Sequence, residues 1–230
     1  MKDIEVFAGE RASSYDTGIK FWCPDYDFTQ ALLPSLLETY LPTFEQKTIL
    51  VAGCGTGTEM KSILQYAPHW QVIGVDPSPD MIALAKEKLA ALPPENYTLN
   101  TATVNQLPDM MPFDAATLFL VLHFLSDDGA KLSLLQDLAL RLKKGAPLFI
   151  LDIFNHRGTF NQQLDLLKSY LLQQGIAPET VEQGILHIAQ DINYVSEERL
   201  QELLHAAGFG KALKFKQTFI FGGWIVEKQS

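Results

Sequence analysis

The pattern of apolar and polar positions switches repeatedly between two periods, and this switching predicts strands separated by helices. Five short runs rich in apolar or β-branched residues are typical of buried strands. They span residues 48–52, 70–76, 97–101, 113–121 and 147–153. Between the first two, Met60, Ile63, Leu64 and Ala67 recur at helical spacing. Repeated strand–helix units predict an α/β protein with a doubly wound, mostly parallel sheet.

The two ends of the chain differ from this pattern. Two strand-like runs, 211–215 and 219–227, are joined by a tight connection with no room for a crossover helix, so we expect an antiparallel hairpin at the sheet edge. The first part, 1–27, is rich in aromatic residues without a clear period, and we interpret it as an N-terminal arm or lid. The segment 154–195 begins with a helical pattern and then becomes irregular, which indicates a lid or insertion. We expect 1–230 to form a single domain.

Composition narrows the function classes. The chain has 230 residues, of which 47% are hydrophobic and 20% charged, as in ordinary globular proteins. Its net charge of −9 argues against a general nucleic-acid binder. Cys23 and Cys54 provide neither a disulfide framework nor a metal set. Without an apolar leader or a bilayer-spanning run, we expect a cytoplasmic protein that does not associate with membranes. The sequence leaves the oligomeric state open.

A glycine-rich loop carries the clearest chemical signal. The first strand runs directly into Gly53, Gly55 and Gly57, and a helical pattern follows. Glycines at these positions allow a sharp turn and let a ligand lie against the main chain. The second strand ends in Asp76, 19 residues after Gly57, where a carboxylate can bind both hydroxyls of a ribose. The two features predict a nucleoside cofactor at the carboxyl edge of a parallel sheet.

Four stretches together resemble class I S-adenosylmethionine-dependent methyltransferases. They are Val-Ala-Gly-Cys-Gly-Thr-Gly at 51–57, Val-Asp-Pro-Ser-Pro-Asp-Met at 75–81, Leu-Val-Leu-His-Phe-Leu at 120–125, and the ending formed by 207–209 with 219–224. The chain is also similar to the bacterial carboxy-S-adenosylmethionine synthase of wobble-uridine modification. The resemblance implies a Rossmann-like fold, S-adenosyl-L-methionine as cofactor and transfer of a methyl group to a small-molecule acceptor.

The resemblance also implies which residues contact the cofactor. They are Gly53, Cys54, Gly55, Thr56, Gly57, Asp76, Pro77, Met81, Thr103, Val104 and Leu120, with Arg11 and Tyr15 reaching the methionine end from the arm. Two positions depart from the family pattern. Val51 stands where an acid often helps to hold the methionine amino group. Thr103 stands where an Asp often contacts the adenine amine, and its hydroxyl is able to accept the same hydrogen bond.

His123 is the candidate catalytic base, because it follows the fourth strand, where the cofactor sulfonium is expected to point. An alternative interpretation is that His123 only shapes the pocket. His156, with Asp152 and Asn155 after the fifth strand, is a second group within possible reach of the substrate. His187 and His205 lie in helical patterns and are interpreted as structural. No spacing of His, Cys, Asp or Glu predicts a metal site.

Three alternative functions remain open from the sequence. A nicotinamide enzyme shares the strand–glycine–helix–acid pattern, but Thr58 occupies the place of its usual third glycine. A carboxymethyl-type cofactor synthase needs a cation for an extra carboxylate, for which Arg157 and Arg199 are candidates. A non-catalytic module that binds S-adenosylmethionine is the third. An open acceptor pocket beside the sulfur favours an enzyme over such a module.

Overall fold

The computed structural model describes residues 7–42, 44–108 and 112–229, and in these ranges the strands form one mixed sheet. The strands are β1 (Thr48–Ala52), β2 (Gln71–Asp76), β3 (Tyr97–Thr101), β4 (Ala115–Phe119), β5 (Pro147–Asn155), β6 (Val195–Ser196), β7 (Leu213–Thr218) and β8 (Phe221–Glu227). Their order is β3-β2-β1-β4-β5-β8-β7, and β6 pairs with the end of β5 beside this path. The strand order therefore reverses between β1 and β4, and in sheets of this kind ligands bind at that point, beyond the carboxyl ends of the strands.

The pairing directions confirm the predicted fold class. β3, β2, β1, β4 and β5 are mutually parallel, whereas β8 is antiparallel to both β5 and β7. The expected antiparallel hairpin is present, and its second strand lies inside the sheet while β7 forms the edge. The fold is a mostly parallel, Rossmann-like α/β sheet.

Helices cover both faces of this sheet. They are α1 (Gly9–Ser13), α2 (Tyr15–Trp22), α3 (Tyr26–Tyr40), α4 (Thr58–Tyr66), α5 (Pro79–Leu89), α6 (Ala130–Arg141), α7 (Phe160–Gln173), α8 (Pro178–Gln190) and α9 (Glu197–Ala206). Alternate residues of β1 belong to different hydrophobic clusters: Ile49 and Val51 pack with α3, α4 and α7, and Leu50 and Ala52 pack with α6 and α9. This alternation is the physical reason for the continuous apolar runs in the sequence.

Two segments are more regular than the sequence predicted. The arm holds α1 and α2, and α3 begins within it at Tyr26. Within 154–195, where the sequence pattern becomes irregular, the structure has the helix α8 at Pro178–Gln190, and the interpretation of this segment as a lid or insertion stays a prediction. Its apolar residues do recur at helical spacing, but Gly184 interrupts the pattern, and glycine is unfavourable inside a helix. The assignment of 1–230 to a single domain stays a prediction.

In the part of the chain that the structure describes, no helix is both long and apolar enough to cross a membrane.

Candidate functional site

The glycine loop between β1 and α4 adopts a backbone that favours glycine at three positions. Gly53, Gly55 and Gly57 have φ angles of 69°, 50° and 83°, all in the left-handed region. A Cβ on Gly53 would lie 2.3 Å from a methyl group of Val121, so the loop passes close to the segment after β4. A Cβ on Gly55 would meet no atom within 4 Å. The main chain at Gly55 is therefore open to a ligand.

Asp76, at the end of β2, is fixed against this loop by main-chain donors. One carboxylate oxygen accepts from the Gly55 N–H at 3.0 Å, and the other accepts from the Ser78 N–H at 2.9 Å. Burial raises the pKa of Asp76, and these two hydrogen bonds oppose that rise. Ser78 in turn caps α5 by accepting from the Met81 N–H at 3.1 Å. The Gly loop and Asp76 are thus brought together as the sequence predicted.

The other predicted cofactor residues near the loop do not all present side chains to the cleft. The Cys54 sulfur is buried beside Gly74, and the Thr56 hydroxyl donates to Asp16 of α2 at 2.6 Å. These two residues offer a ligand their main chain only. Thr103 caps a short 3-10 helix, and its hydroxyl lies 2.6 Å from Asn105 and 2.9 Å from Gln106.

Around the adenine side, Met81 and Val104 are buried, and Pro77 is half-buried. Their contacts with a cofactor stay predictions.

The segment after β4 is held in an unusual turn. Leu120 has a φ of 57°, which is uncommon for a residue with a side chain. The turn directs the N–H groups of Val121 and Leu122 at one carboxylate oxygen of Asp152, at 3.0 and 2.7 Å. His123 follows at once, in a 3-10 helix that spans Leu122–Phe124.

His123 and Asp152 form a buried dyad. The Nδ1 atom of His123 lies 2.5 Å from the second carboxylate oxygen of Asp152, which also accepts from the Ile153 N–H at 2.7 Å. Asp152 is fully buried and receives three main-chain hydrogen bonds, so it has no freedom to turn away from the imidazole. A carboxylate held in this way fixes both the tautomer and the orientation of a histidine.

A cavity of about 320 Å³ lies beside this dyad. Its walls come from the arm, the segment after β4, the ends of β5 and β8, and α8 with the residues that follow it. The lining residues are Phe7, Arg11, Ser14, Tyr15, Gly18, Ile19, Trp22, Leu120, His123, Phe124, Ile153, Gly184, His187, Ile188, Ile192 and Phe221. The lining is largely apolar. Four residues of the predicted site lie together in it: Arg11, Tyr15, Leu120 and His123.

The arm is fastened over the cleft at several points. The Lys88 ammonium of α5 lies 2.6 Å from Asp16 of α2 and donates to the hydroxyls of Thr56 and Thr58 at 2.6 and 2.7 Å. Nearer the start of the arm, the Gly9 N–H donates to the Asp80 carboxylate at 2.7 Å. The arm thus lies over both the glycine loop and the start of α5, and Tyr15 and Trp22 become part of the cavity wall.

Other candidates lie outside the cavity lining. His156 lies 2.6 Å from Glu197 through Nδ1, and burial lowers its pKa. Arg199 is an exposed residue of α9 that pairs with Asp127 at 2.9 Å, so it does not face the dyad. Asp152, which the sequence grouped with His156, pairs with His123 instead.

Sequence reasoning missed two features of the cavity. His187 was interpreted as structural, but it lines the cavity while its Nδ1 lies 2.8 Å from Asp191. Trp22 packs against Gly184, where an added Cβ would lie 1.8 Å from the indole ring. A signal for the second feature was present, since a glycine inside a helical pattern indicates close packing. In the described parts of the chain, no group of three or more His, Cys, Asp or Glu is arranged to hold a metal ion.

Comparison with known proteins supports what this geometry indicates. A sequence model of the methyltransferase domain matches residues 50–148. The chain has the class I methyltransferase fold. The resemblance to class I methyltransferases noted in the sequence is therefore confirmed: the domain match supports a methyltransferase, and the solved structures show the fold. An uncharacterized methyltransferase of Schizosaccharomyces pombe is 40% identical over 58 residues, which cover 24% of this chain and only 21% of that relative.

Three solved structures share the methyltransferase fold over nearly the whole chain. The S-adenosylmethionine-dependent methyltransferase SibL has a TM-score of 0.68 at 12% identity, and the match covers 97% of this chain and 60% of SibL. Magnesium protoporphyrin IX methyltransferase from Synechocystis PCC 6803, with bound SAH, has a TM-score of 0.65 at 16% identity and coverages of 95% and 94%. The plantazolicin methyltransferase BpumL, with a triazolic desmethylPZN analog and SAH, has a TM-score of 0.66 at 14% identity and coverages of 95% and 95%.

Proposed function

We propose that this chain transfers a methyl group from S-adenosylmethionine to a hydroxyl group of a small, largely apolar molecule, with His123 as the general base. The observation that carries the proposal is the His123–Asp152 dyad in the wall of an apolar cavity, next to a glycine loop and an acid. An acceptor that is already nucleophilic needs only to be aligned with the methyl group, and its methylation requires no base. A buried and oriented imidazole is useful when the acceptor is a hydroxyl, which loses a proton as it reacts.

The residues at the carboxyl edge of the sheet fit the cofactor. The open main chain at Gly55 gives the cofactor room to lie against the loop, the first turn of α4 offers main-chain N–H groups, and Asp76 offers a carboxylate to the ribose. When bound, S-adenosylmethionine supplies a sulfonium methyl group, whose C–S bond breaks as the bond to the acceptor oxygen forms. The chain aligns the acceptor with this methyl group and excludes water from it.

His123 has the geometry for proton transfer. Because its Nδ1 faces the Asp152 carboxylate, the neutral imidazole carries its proton there and keeps the lone pair on Nε2. The residue also lines the cavity, so Nε2 is the nitrogen available to an acceptor hydroxyl. Asp152 stabilises the imidazolium that forms when the proton arrives, as the carboxylate does in other His–Asp pairs.

The cavity also bears on the acceptor and on the alternatives. Aromatic and aliphatic side chains from the arm and α8 form most of its lining, which suits an apolar small molecule. A space of this kind beside the dyad supports an enzyme over a module that only binds the cofactor. Arg199, the candidate cation for a carboxymethyl-type synthase, is engaged with Asp127 at the surface.

A panel assay tests this proposal. The protein is incubated with S-adenosylmethionine and matched small aromatic compounds that carry a hydroxyl, an amine or a thiol, and formation of S-adenosylhomocysteine is measured for each. We expect turnover with hydroxyl compounds and micromolar binding of S-adenosylhomocysteine, with no binding of NADH. Turnover confined to amines or thiols would contradict the role of the base. Failure to bind either sulfur nucleoside would overturn the whole proposal.

A further inference from the structure

Glu59 is a buried acid directly beside the glycine loop. It lies in the first turn of α4, two residues after Gly57, and only 5% of its surface is exposed. Its Oε1 atom has no hydrogen-bond partner among the residues that the structure describes. A buried carboxyl oxygen without a partner is costly and uncommon in native proteins, so its position calls for an explanation.

Glu59 has ionisable neighbours at both ends of the cleft. Burial raises the pKa of Tyr15 and of Tyr26, and the nearby Glu59 carboxyl contributes to both rises. Tyr15 lines the cavity. Glu59 also interacts electrostatically with Asp76, the predicted ribose ligand. Glu59 is therefore within electrostatic range of both a residue of the cavity wall and the predicted ribose ligand, although it does not itself line the cavity.

Among the residues that the structure describes, Glu59 forms no ion pair with a basic side chain. Lys88 is the basic residue that lowers its pKa, but the Lys88 ammonium already contacts Asp16, Thr56 and Thr58. Burial prevails and raises the pKa of Glu59 to about 8. At neutral pH the free protein therefore keeps this carboxyl mostly protonated.

We infer that Glu59 is the acidic ligand for the amino group of the cofactor's methionine moiety, and that cofactor binding expels the proton from Glu59. The inference rests on the proposed cofactor. That amino group is a cation with hydrogen-bond donors, which an unpartnered carboxylate oxygen can accept. Val51, near the end of β1 and two residues before Gly53, is an apolar residue buried in the core and offers no carboxylate. Glu59 supplies the acid from the other side of the loop.

The remaining titratable groups around Glu59 need to be separated from it in any test. They are Tyr15, Tyr26, Cys54, Asp76 and Lys88, and Asp16 and Cys23 in turn influence the two tyrosines. Burial raises the pKa of both cysteines and both tyrosines, so these four groups stay protonated near neutral pH. The pKa of Asp76 is also raised by burial, so this carboxyl is the main competitor as a source of protons. A nucleoside that retains the ribose but lacks the amino acid contacts Asp76 without Glu59, so it measures the protons that Asp76 releases.

The first experiment uses the unmodified protein. S-Adenosylhomocysteine is titrated calorimetrically at pH 6.5 in buffers with different ionisation enthalpies, and 5′-methylthioadenosine, which lacks the amino-acid moiety, is titrated in parallel. From the pKa of about 8, we expect release of about one proton per S-adenosylhomocysteine bound and none with 5′-methylthioadenosine. The affinity for S-adenosylhomocysteine should rise about tenfold per pH unit between pH 6 and 7.5, because the bound state requires the ionised carboxylate.

Two variants complete the test. Glu59→Gln should weaken S-adenosylhomocysteine binding by about 10–100-fold, leave 5′-methylthioadenosine binding unchanged and abolish the proton release. Glu87→Gln, which changes an exposed acid of α5, should behave like the unmodified protein. Tight binding of S-adenosylhomocysteine without proton release, or with equal affinity in Glu59→Gln, would overturn this inference and leave the proposed function intact. Absence of S-adenosylhomocysteine binding would overturn both.

Discussion

The two ends of the cleft are built in different ways. At the cofactor end, the glycine loop and the end of β2 form the predicted binding site between them. Asp76 accepts hydrogen bonds from the main-chain N–H groups of Gly55 and Ser78. At the acceptor end, the cavity wall is assembled from side chains of the arm, the segment after β4 and α8, which are distant in sequence. The first end depends on backbone conformation, and the second depends on tertiary packing.

This difference predicts how each end responds to mutation. A change in the glycine loop acts on the main chain and should disturb cofactor binding and stability together. A change in the arm or α8 should alter the acceptor cavity while the loop and Asp76 stay intact. The His123–Asp152 dyad stands between the two ends, because its donors come from the turn that also contacts the loop at Gly53.

The largest effect is expected at the dyad. His123→Ala removes the proposed base, and methyl transfer to a hydroxyl acceptor should fall by about 10²–10⁴-fold. Calorimetry should show S-adenosylhomocysteine binding within about threefold of the unmodified protein, because general-base catalysis acts on the reaction rather than on cofactor binding. His69→Ala, at an exposed histidine, is the matched control and should keep full activity. A rate unchanged in His123→Ala would remove the base from the mechanism.

A second comparison separates two glycines of the same loop. Gly53→Ala forces a Cβ to 2.3 Å from the stiff side chain of Val121 at a φ of 69°, so unfolding in urea should show a loss of roughly 2–4 kcal/mol. Gly55→Ala meets no neighbour, and its φ of 50° should cost only about 1–2 kcal/mol. Its new methyl group instead enters the open side of the loop and should weaken S-adenosylhomocysteine binding.

Equal losses of stability in the two glycine variants, with cofactor binding retained in Gly55→Ala, would show that the open side of Gly55 does not face the cofactor.

The cofactor end was readable from the sequence because its determinants are local. A β-branched run that enters three alternate glycines has few structural solutions, and Asp76 follows at the end of the next strand in the sheet. Four strands were equally readable, since β1, β2, β4 and β5 have apolar residues on both faces. Their boundaries shifted by a few residues, as in the fourth strand, which is confined to Ala115–Phe119.

The acceptor end was not readable because its determinants are contacts between distant residues. Nothing in the sequence pairs His123 with Asp152, which is 29 positions later, or Trp22 with Gly184. Periodicity placed His187 in a helix but not on the face that lines the cavity. Glu59 likewise has the polarity of an exposed first-turn residue, and its burial is visible only in the structure.

A smaller effect, confined to the acceptor end, is expected at Gly184. Gly184→Ala places a Cβ 1.8 Å from the Trp22 ring, so Trp22 must move and acceptor affinity should fall by about 5–50-fold, equivalent to 1–2.3 kcal/mol. The fluorescence of Trp22 should change, and S-adenosylhomocysteine affinity should not. Gly18→Ala, inside α2 with no atom within 4 Å of the new Cβ, should gain about 0.5–1 kcal/mol of stability and keep the fluorescence. Unaltered fluorescence in Gly184→Ala would contradict the contact.

The smallest effect is expected where the arm is fastened to the cofactor end. Lys88→Met removes the cation that joins Asp16 to Thr56 and Thr58, and a partly exposed ion pair of this kind contributes about 0.5–1 kcal/mol. Amide hydrogen exchange across α2 should therefore accelerate by about 2–5-fold. The difference from the unmodified protein should shrink in 0.5 M salt, because exposed charges are screened. Lys20→Met breaks only the exposed pair with Asp27 and should leave exchange in α2 nearly unchanged. If both variants accelerate exchange equally, the ion pair at Lys88 does not fasten the arm to the cofactor end of the cleft.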